Sequence, residues 1–139
     1  MYIDFSSVGG YAIKERDVLY KIEYYTDKNG KKPAQDYINA LLAKGDKDSR
    51  IKANKILHYI DYLEAKGTYI GEPFVKHIEG DMWELRPAKD RIFFVVYVDG
   101  VLVLLHAFTK KTQKTPEIEL AQARAEYKDL VERGLNKDE

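Results

Sequence analysis

Four cations with a particular spacing mark where this chain could do chemistry. Arg86 and Arg91 bracket the short run Pro87-Ala88-Lys89-Asp90, and Lys110 and Lys111 close the apolar stretch "VLVLLHAFT". Lys114 extends the second group, and no acid lies between Asp99 and Glu117 to neutralise it. Guanidinium and ammonium groups donate hydrogen bonds to phosphate oxygens and hold positive charge where negative charge builds. The formal net charge is zero, so a polyanionic partner would have to be held by a local patch rather than drawn in by the whole molecule. Zero cysteines exclude thiolate chemistry and disulfides, and three scattered histidines offer no metal-ligand spacing, so neither cofactor nor metal is expected.

Side chains alternate across a strand, which tests whether these cations can meet. In "MWELRP" Glu84 and Arg86 share a face opposite Trp83 and Leu85, and in "RIFFVVYV" Arg91, Phe93, Val95 and Tyr97 share a face. A hairpin through residues 87–90 brings Arg86 and Arg91 together across neighbouring strands.

The elements that must hold them follow from periodicity. Alternation from Val18 to Tyr25 predicts a first strand, closed by the turn signal "DKNGK". Pro33 opens a helix that Gly45 ends, with Ala34, Tyr37, Ile38, Leu41 and Leu42 on one face. A second helix runs from Asp46 or Asp48 to Gly67, with Ala53, Ile56, Leu57, Ile60 and Leu63 inward and Lys52, Lys55 and Asp61 outward. The period then changes to two. "FVKHIEG", "DMWELRP", "DRIFFVVYVDG" and "VLVLLHAFT" predict successive strands joined by tight turns, of which Asp99-Gly100 is the most specific because type I′ turns need positive φ. The last two strands are apolar on both faces and belong mid-sheet. Thr115 and Pro116 read as the N-cap and first position of a final helix with Ile118, Ala121, Ala125 and Leu120 as its apolar face.

A chain of 139 residues with 45% hydrophobic and 33% charged residues fits one compact globular domain. No apolar run approaches the roughly 18 residues that span a bilayer, and "MYIDFSSVGG" has no secretory pattern, so the protein is expected in the cytoplasm with no membrane partner.

In this element order, "WELRPAKDRIFFVVY" and "LLHAFTKKTQKTPEIELAQARAEY" resemble the RelE/ParE superfamily, and specifically HigB-like toxins, a phage-derived host-inhibition type, of type II toxin–antitoxin systems. The resemblance implies an α+β, RelE-like fold: an antiparallel-dominated twisted sheet of four to five strands with an N-terminal helical hairpin and a C-terminal helix. It places one toxin domain over residues 19–139 and leaves residues 1–18 as an extension. It further implies a metal-independent endoribonuclease cleaving mRNA in the ribosome, restrained by a helix-turn-helix, HigA-like antitoxin.

Attack of a 2′-hydroxyl on the adjacent phosphate needs a base, an acid for the leaving 5′-oxygen and stabilisation of the phosphate charge. On the resemblance, Arg86 and Arg91 grip the scissile phosphate, and the strand end carrying Lys110 and Lys111 adjoins the same hairpin. One of those lysines stabilises the transition state or supplies a proton, Phe93 stacks a base, and Lys76 and Lys114 touch RNA. Glu84 and His106 both stand as general-base candidates. His106 inside an apolar strand also reads as a hydrogen-bonded core residue, and His58 and His77 as surface residues. Two other functions fit the same fold: a ParE-like, non-enzymatic inhibitor of DNA gyrase, and a degenerate interaction-only protein. The cations at the strand ends favour the ribonuclease, since a protein-binding inhibitor has no need of convergent phosphate donors.

Overall fold

The computed structural model describes residues 20–135 and the backbone of two short strands, Ile3–Phe5 (β1) and Tyr11–Ile13 (β2), which pair antiparallel. The side chains of the expected extension, and Val18 and Leu19 at the start of the expected first strand, lie outside the described residues.

The main sheet has five strands: Lys21–Tyr24 (β3), Val75–Glu79 (β4), Met82–Leu85 (β5), Asp90–Val96 (β6) and Val101–Thr109 (β7). Their spatial order is β3-β7-β6-β5-β4. Tight turns join β4 to β7, so those neighbours are antiparallel. β3 is separated from β7 by the rest of the fold and pairs with it in parallel, as a long crossover permits. At the β6–β7 turn Asp99 has φ 53° and Gly100 φ 75°, as the sequence predicts.

The helical hairpin consists of Pro33–Lys44 (α1) and Lys47–Lys66 (α2). Pro33 starts α1 where its missing N–H costs nothing, and Gly45 ends it in the left-handed region. The Asp46 carboxylate accepts a hydrogen bond from Ser49 N at 3.0 Å, satisfying one of the free amides at the start of α2. Gly67 caps α2 with a positive φ of 60°, and only glycine fits there because a Cβ would lie 2.5 Å from the Tyr20 ring. The C-terminal helix is Glu117–Arg133 (α3). It begins one residue later than the Thr115 cap implies, and the Thr115 hydroxyl serves Glu84 instead.

Helices cover both faces of the sheet. Ile38, Ile56 and Leu63 of the hairpin pack on Leu85, Ile92, Phe94 and Leu104. Ala123 and Leu130 of α3 pack on Met82, Phe93, Val95, Val103, Leu105 and Phe108. Each fully buried side chain of this kind contributes about 1.5–3 kcal/mol.

Three sequence expectations are corrected. Leu42 is an exposed residue of α1 rather than part of its buried face. Lys52 turns inward and bridges Asp90 and Thr109 at 3.3 and 3.1 Å. On α3 the expected apolar residues Ile118, Ala121 and Ala125 face outward, Ile118 being 76% exposed. The buried face carries Ala123, Glu126 and Leu130, because Glu126 has an inward partner that offsets its desolvation.

A bulge in β7 decides what its end presents. Phe94 pairs with Leu104 but Ile92 pairs with Ala107, so β7 holds one extra residue at Leu105–His106. Val103 and Leu105 face α3 before the bulge, and His106 and Phe108 face it afterwards. The extra residue therefore shifts the even-numbered positions, and with them Lys110, to the face of Arg86 and Arg91.

Candidate functional site

Among the described residues, nothing covers the α3-facing side of the sheet at one end, where β5 leaves for its turn, β6 begins and β7 finishes. An open cavity of about 1030 Å³ lies there, lined by Arg86, Ala88, Lys89, Arg91, Thr109, Lys110, Lys111, Thr112 and Gln113. The hairpin brings Arg86 and Arg91 together as the strand alternation requires, and the β7 bulge adds Lys110. Lys110 is fixed to the same hairpin by its backbone amide, which donates to Lys89 O at 2.8 Å.

The floor is anionic. Glu84 is 1% exposed, and its Oε1 lies 3.6 Å from Arg86 Nε and 3.8 Å from Arg91 Nε. Its Oε2 accepts from the Thr115 hydroxyl at 3.3 Å. One buried carboxylate thus faces two guanidiniums at distances that attract without satisfying either Nε–H, and among the described residues neither buried Nε atom has a hydrogen-bond partner. Orphaned donors of this sort are costly, and the charge of Glu84 beside them offsets part of that cost.

Arg91 is held from the other side too. Its Nη1 donates to Ala88 O and to Asp90 O, each at 2.8 Å. The turn can offer both carbonyls because Ala88 adopts a positive φ of 54°. Burial, and then the charge of Arg86, hold the Arg91 guanidinium below its ordinary pKa against the opposing pull of Glu84 and Asp90. Lys110 is also lowered, first by desolvation. Arg91, Arg86 and Lys76 add to that shift and Glu84 opposes it. Mutual repulsion of this kind is relieved by a bound anion.

A family model for phage-derived Gp49-like proteins matches residues 36–128. The chain belongs to this family. Among curated proteins, none matches it. Gp49-like proteins are a phage-derived, toxin-like family of the RelE toxin–antitoxin type, and the matched span contains every residue that lines the cavity.

Within this Gp49-like chain the remaining sequence candidates divide. Lys111 lines the cavity as an exposed residue. Lys76 lies on β4 directly across from Glu84 and adds its field to the cluster. Lys114 is exposed on the segment before α3 and does not line the cavity, its carbonyl accepting from Thr112. Phe93 is 0% exposed and packs between the rings of His106 and Phe108. It is a core residue, which corrects the expectation that it stacks a base. It shares the buried cluster beneath α3 with Ala123 and Leu130. His106 is likewise buried, with both ring nitrogens occupied by Glu119 and Glu126.

Sequence reasoning missed Thr115 as the partner of Glu84 and the carbonyls of Ala88 and Asp90 as the clamp on Arg91. The "TP" pair reads as a helix cap, and backbone groups leave no trace in residue types.

Proposed function

We propose that this Gp49-like chain is a HigB-like toxin that cleaves mRNA in the ribosome without a metal, by attack of the 2′-hydroxyl on the adjacent phosphodiester. The observation that carries this reading is the convergence of Arg86, Arg91 and Lys110 on one open cavity. Arg86 and Arg91 bind the non-bridging oxygens of the scissile phosphate, where charge grows as the fifth bond to phosphorus forms. The 2′-oxygen bonds to phosphorus, the bond to the 5′-oxygen breaks, and a 2′,3′-cyclic phosphate remains on the upstream fragment. Lys110 is the group best placed to give the departing 5′-oxygen its proton, because its lowered pKa makes the ammonium a better acid than a free lysine. Lys111 and Lys76 hold flanking phosphates.

Glu84 takes a different part from that of a base. Buried beneath two guanidiniums, it orients them and offsets their repulsion, and substrate approaching from the cavity meets the arginines first. His106 has no free lone pair while both nitrogens face carboxylates. The proton of the 2′-hydroxyl then leaves to solvent or to a ribosomal group. A helix-turn-helix, HigA-like antitoxin and a cytoplasmic location belong to the same proposal.

Expression of the parent and of Arg86→Ala and Lys110→Ala variants in a bacterial host tests it. Growth arrest by the parent with loss of arrest in both variants is the expected result; undiminished arrest by both variants would rule the mechanism out.

A further inference from the structure

His106 sits at the β7 bulge, 4% exposed, with Nδ1 at 2.7 Å from Glu126 Oε1 and Nε2 at 2.9 Å from Glu119 Oε1. Both carboxylates come from α3, Glu119 from its first turn and Glu126 two turns on. The second oxygen of Glu126 accepts from Gln122 Nε2 at 2.9 Å. An ionised carboxylate can only accept, and a neutral imidazole has one donor, so two such contacts require one proton more than the separated groups carry near neutral pH. Imidazole is the strongest base of the three and takes it. The aromatic rings of Phe93 and Phe108 flank the imidazole at centroid distances of 5.5 and 6.0 Å, and these apolar surroundings strengthen the ionic hydrogen bonds.

The clamp lies close in the chain to the cationic cavity. The segment from Lys110 to Thr115 runs from the end of β7 to the start of α3. One end is pinned by Lys110 N on Lys89 O at 2.8 Å. The other is pinned by Thr115 on Glu84 and by Glu119 on His106.

We propose that His106 is a positioning residue for the cavity: as an imidazolium between Glu119 and Glu126 it fastens the start of α3 to the sheet and so fixes the segment bearing Lys110 and Lys111 beside Arg86 and Arg91. This rests on the phosphate-binding reading of that cavity. Other charges on this side of the sheet include Asp129 on α3, Arg91 on β6, Glu84 on β5, and Arg86 and Lys110 at the strand ends; among the described residues only Glu119 and Glu126 pair with the imidazole. Burial alone would depress its pKa, but the hydrogen bonds and charges of Glu126 and Glu119 outweigh that and leave it raised above 6.5. The clamp is therefore complete below pH 6.5 and is lost as the pH rises through the higher folded value.

Nitrogen-15 NMR of the full chain across pH 5.5–9 tests the proposal. Both His106 nitrogens are expected to show protonated shifts at the acid end, with a titration midpoint above 6.5 that Glu126→Gln moves to lower pH. The backbone amides of Lys110, Lys111 and Thr112 are expected to shift with the same midpoint as the imidazole. Affinity for a short single-stranded RNA falls about fivefold across that midpoint, and His106→Gln removes this pH dependence. A His106 midpoint at or below 6.5, or amides of 110–112 that stay still while His106 titrates, overturns the proposal. The wild-type titration decides this even if His106→Gln does not fold. Should the amides follow His106 in a protein that neither binds nor cleaves RNA, the function proposed above fails while the coupling stands.

Discussion

Glu84 lies beneath Arg86 with 3.6 Å between Oε1 and Nε, and the same oxygen reaches toward Arg91 at 3.8 Å. A buried carboxylate between two guanidiniums works as a counter-charge and a spacer together. Glu84→Gln keeps the volume and removes the charge, leaving two partly buried cations to repel each other. The expected cost is about 2 kcal/mol, below the full penalty for a broken buried pair because both arginines retain some water contact. A lowered urea midpoint with an unchanged slope is the result to look for, and an unchanged midpoint would show that Glu84 does not neutralise the pair.

The opposite face of the same strand ends is tied to the helical hairpin. The Tyr37 hydroxyl donates to Asp90 Oδ1 at 2.6 Å and lies 2.7 Å from the Thr109 hydroxyl. Asp90 is almost wholly buried, so Tyr37→Phe deprives it of one partner at a cost of about 1–2 kcal/mol. Chemical denaturation measures the loss. RNA affinity is expected to stay at the parent level, because Tyr37 packs with the helical-hairpin core and does not line the cavity.

Much of this arrangement was legible in the residues. The Asp99-Gly100 turn, the Pro33 and Gly45 boundaries and the meeting of Arg86 with Arg91 all follow from local rules that the fold obeys. The bulge at Leu105–His106 was not legible, since one extra residue in an apolar run alters no pattern, yet it determines the face on which Lys110 emerges. The buried side of α3 was misread for a related reason. Glu119 and Glu126 look like solvent residues until His106, outside the helix, is placed opposite them. Phe93 was misassigned because alternation gives a face and says nothing about whether a helix covers it.

The acid limb of stability depends on α3. Asp129 accepts from Arg133 and from the Tyr25 hydroxyl, and those bonds hold its carboxyl well below the usual 3.8. Its stabilising contribution is present above pH 3.8 and is lost as the pH falls through the depressed folded value. Asp129→Asn is expected to flatten the decline in stability below about pH 4. Burial and then Asp129 push the Tyr25 phenol up to about 12, so spectrophotometric titration of Tyr25→Phe against the parent should remove one late-ionising tyrosine.

Salt reports how many phosphates the cavity holds. With Arg86, Arg91, Lys110 and Lys111 engaged, log affinity for a single-stranded RNA oligonucleotide should fall against log salt with a slope of about −3, and Lys110→Ala should reduce that slope by about 0.7. Fluorescence anisotropy between 50 and 200 mM salt, on the order of the usual working range, gives both values. A slope near zero would mean that these cations do not meet RNA phosphates.

The most direct test is to incubate the purified chain with ribosomes, a defined message and excess EDTA, then to identify the fragment ends by mass spectrometry. The account predicts cleavage that survives chelation, upstream fragments ending in 2′,3′-cyclic phosphate, and a loss of at least about 100-fold in rate for Arg91→Ala. An intact message, cleavage abolished by the chelator, or an Arg91→Ala variant that cuts as fast as the parent would contradict it.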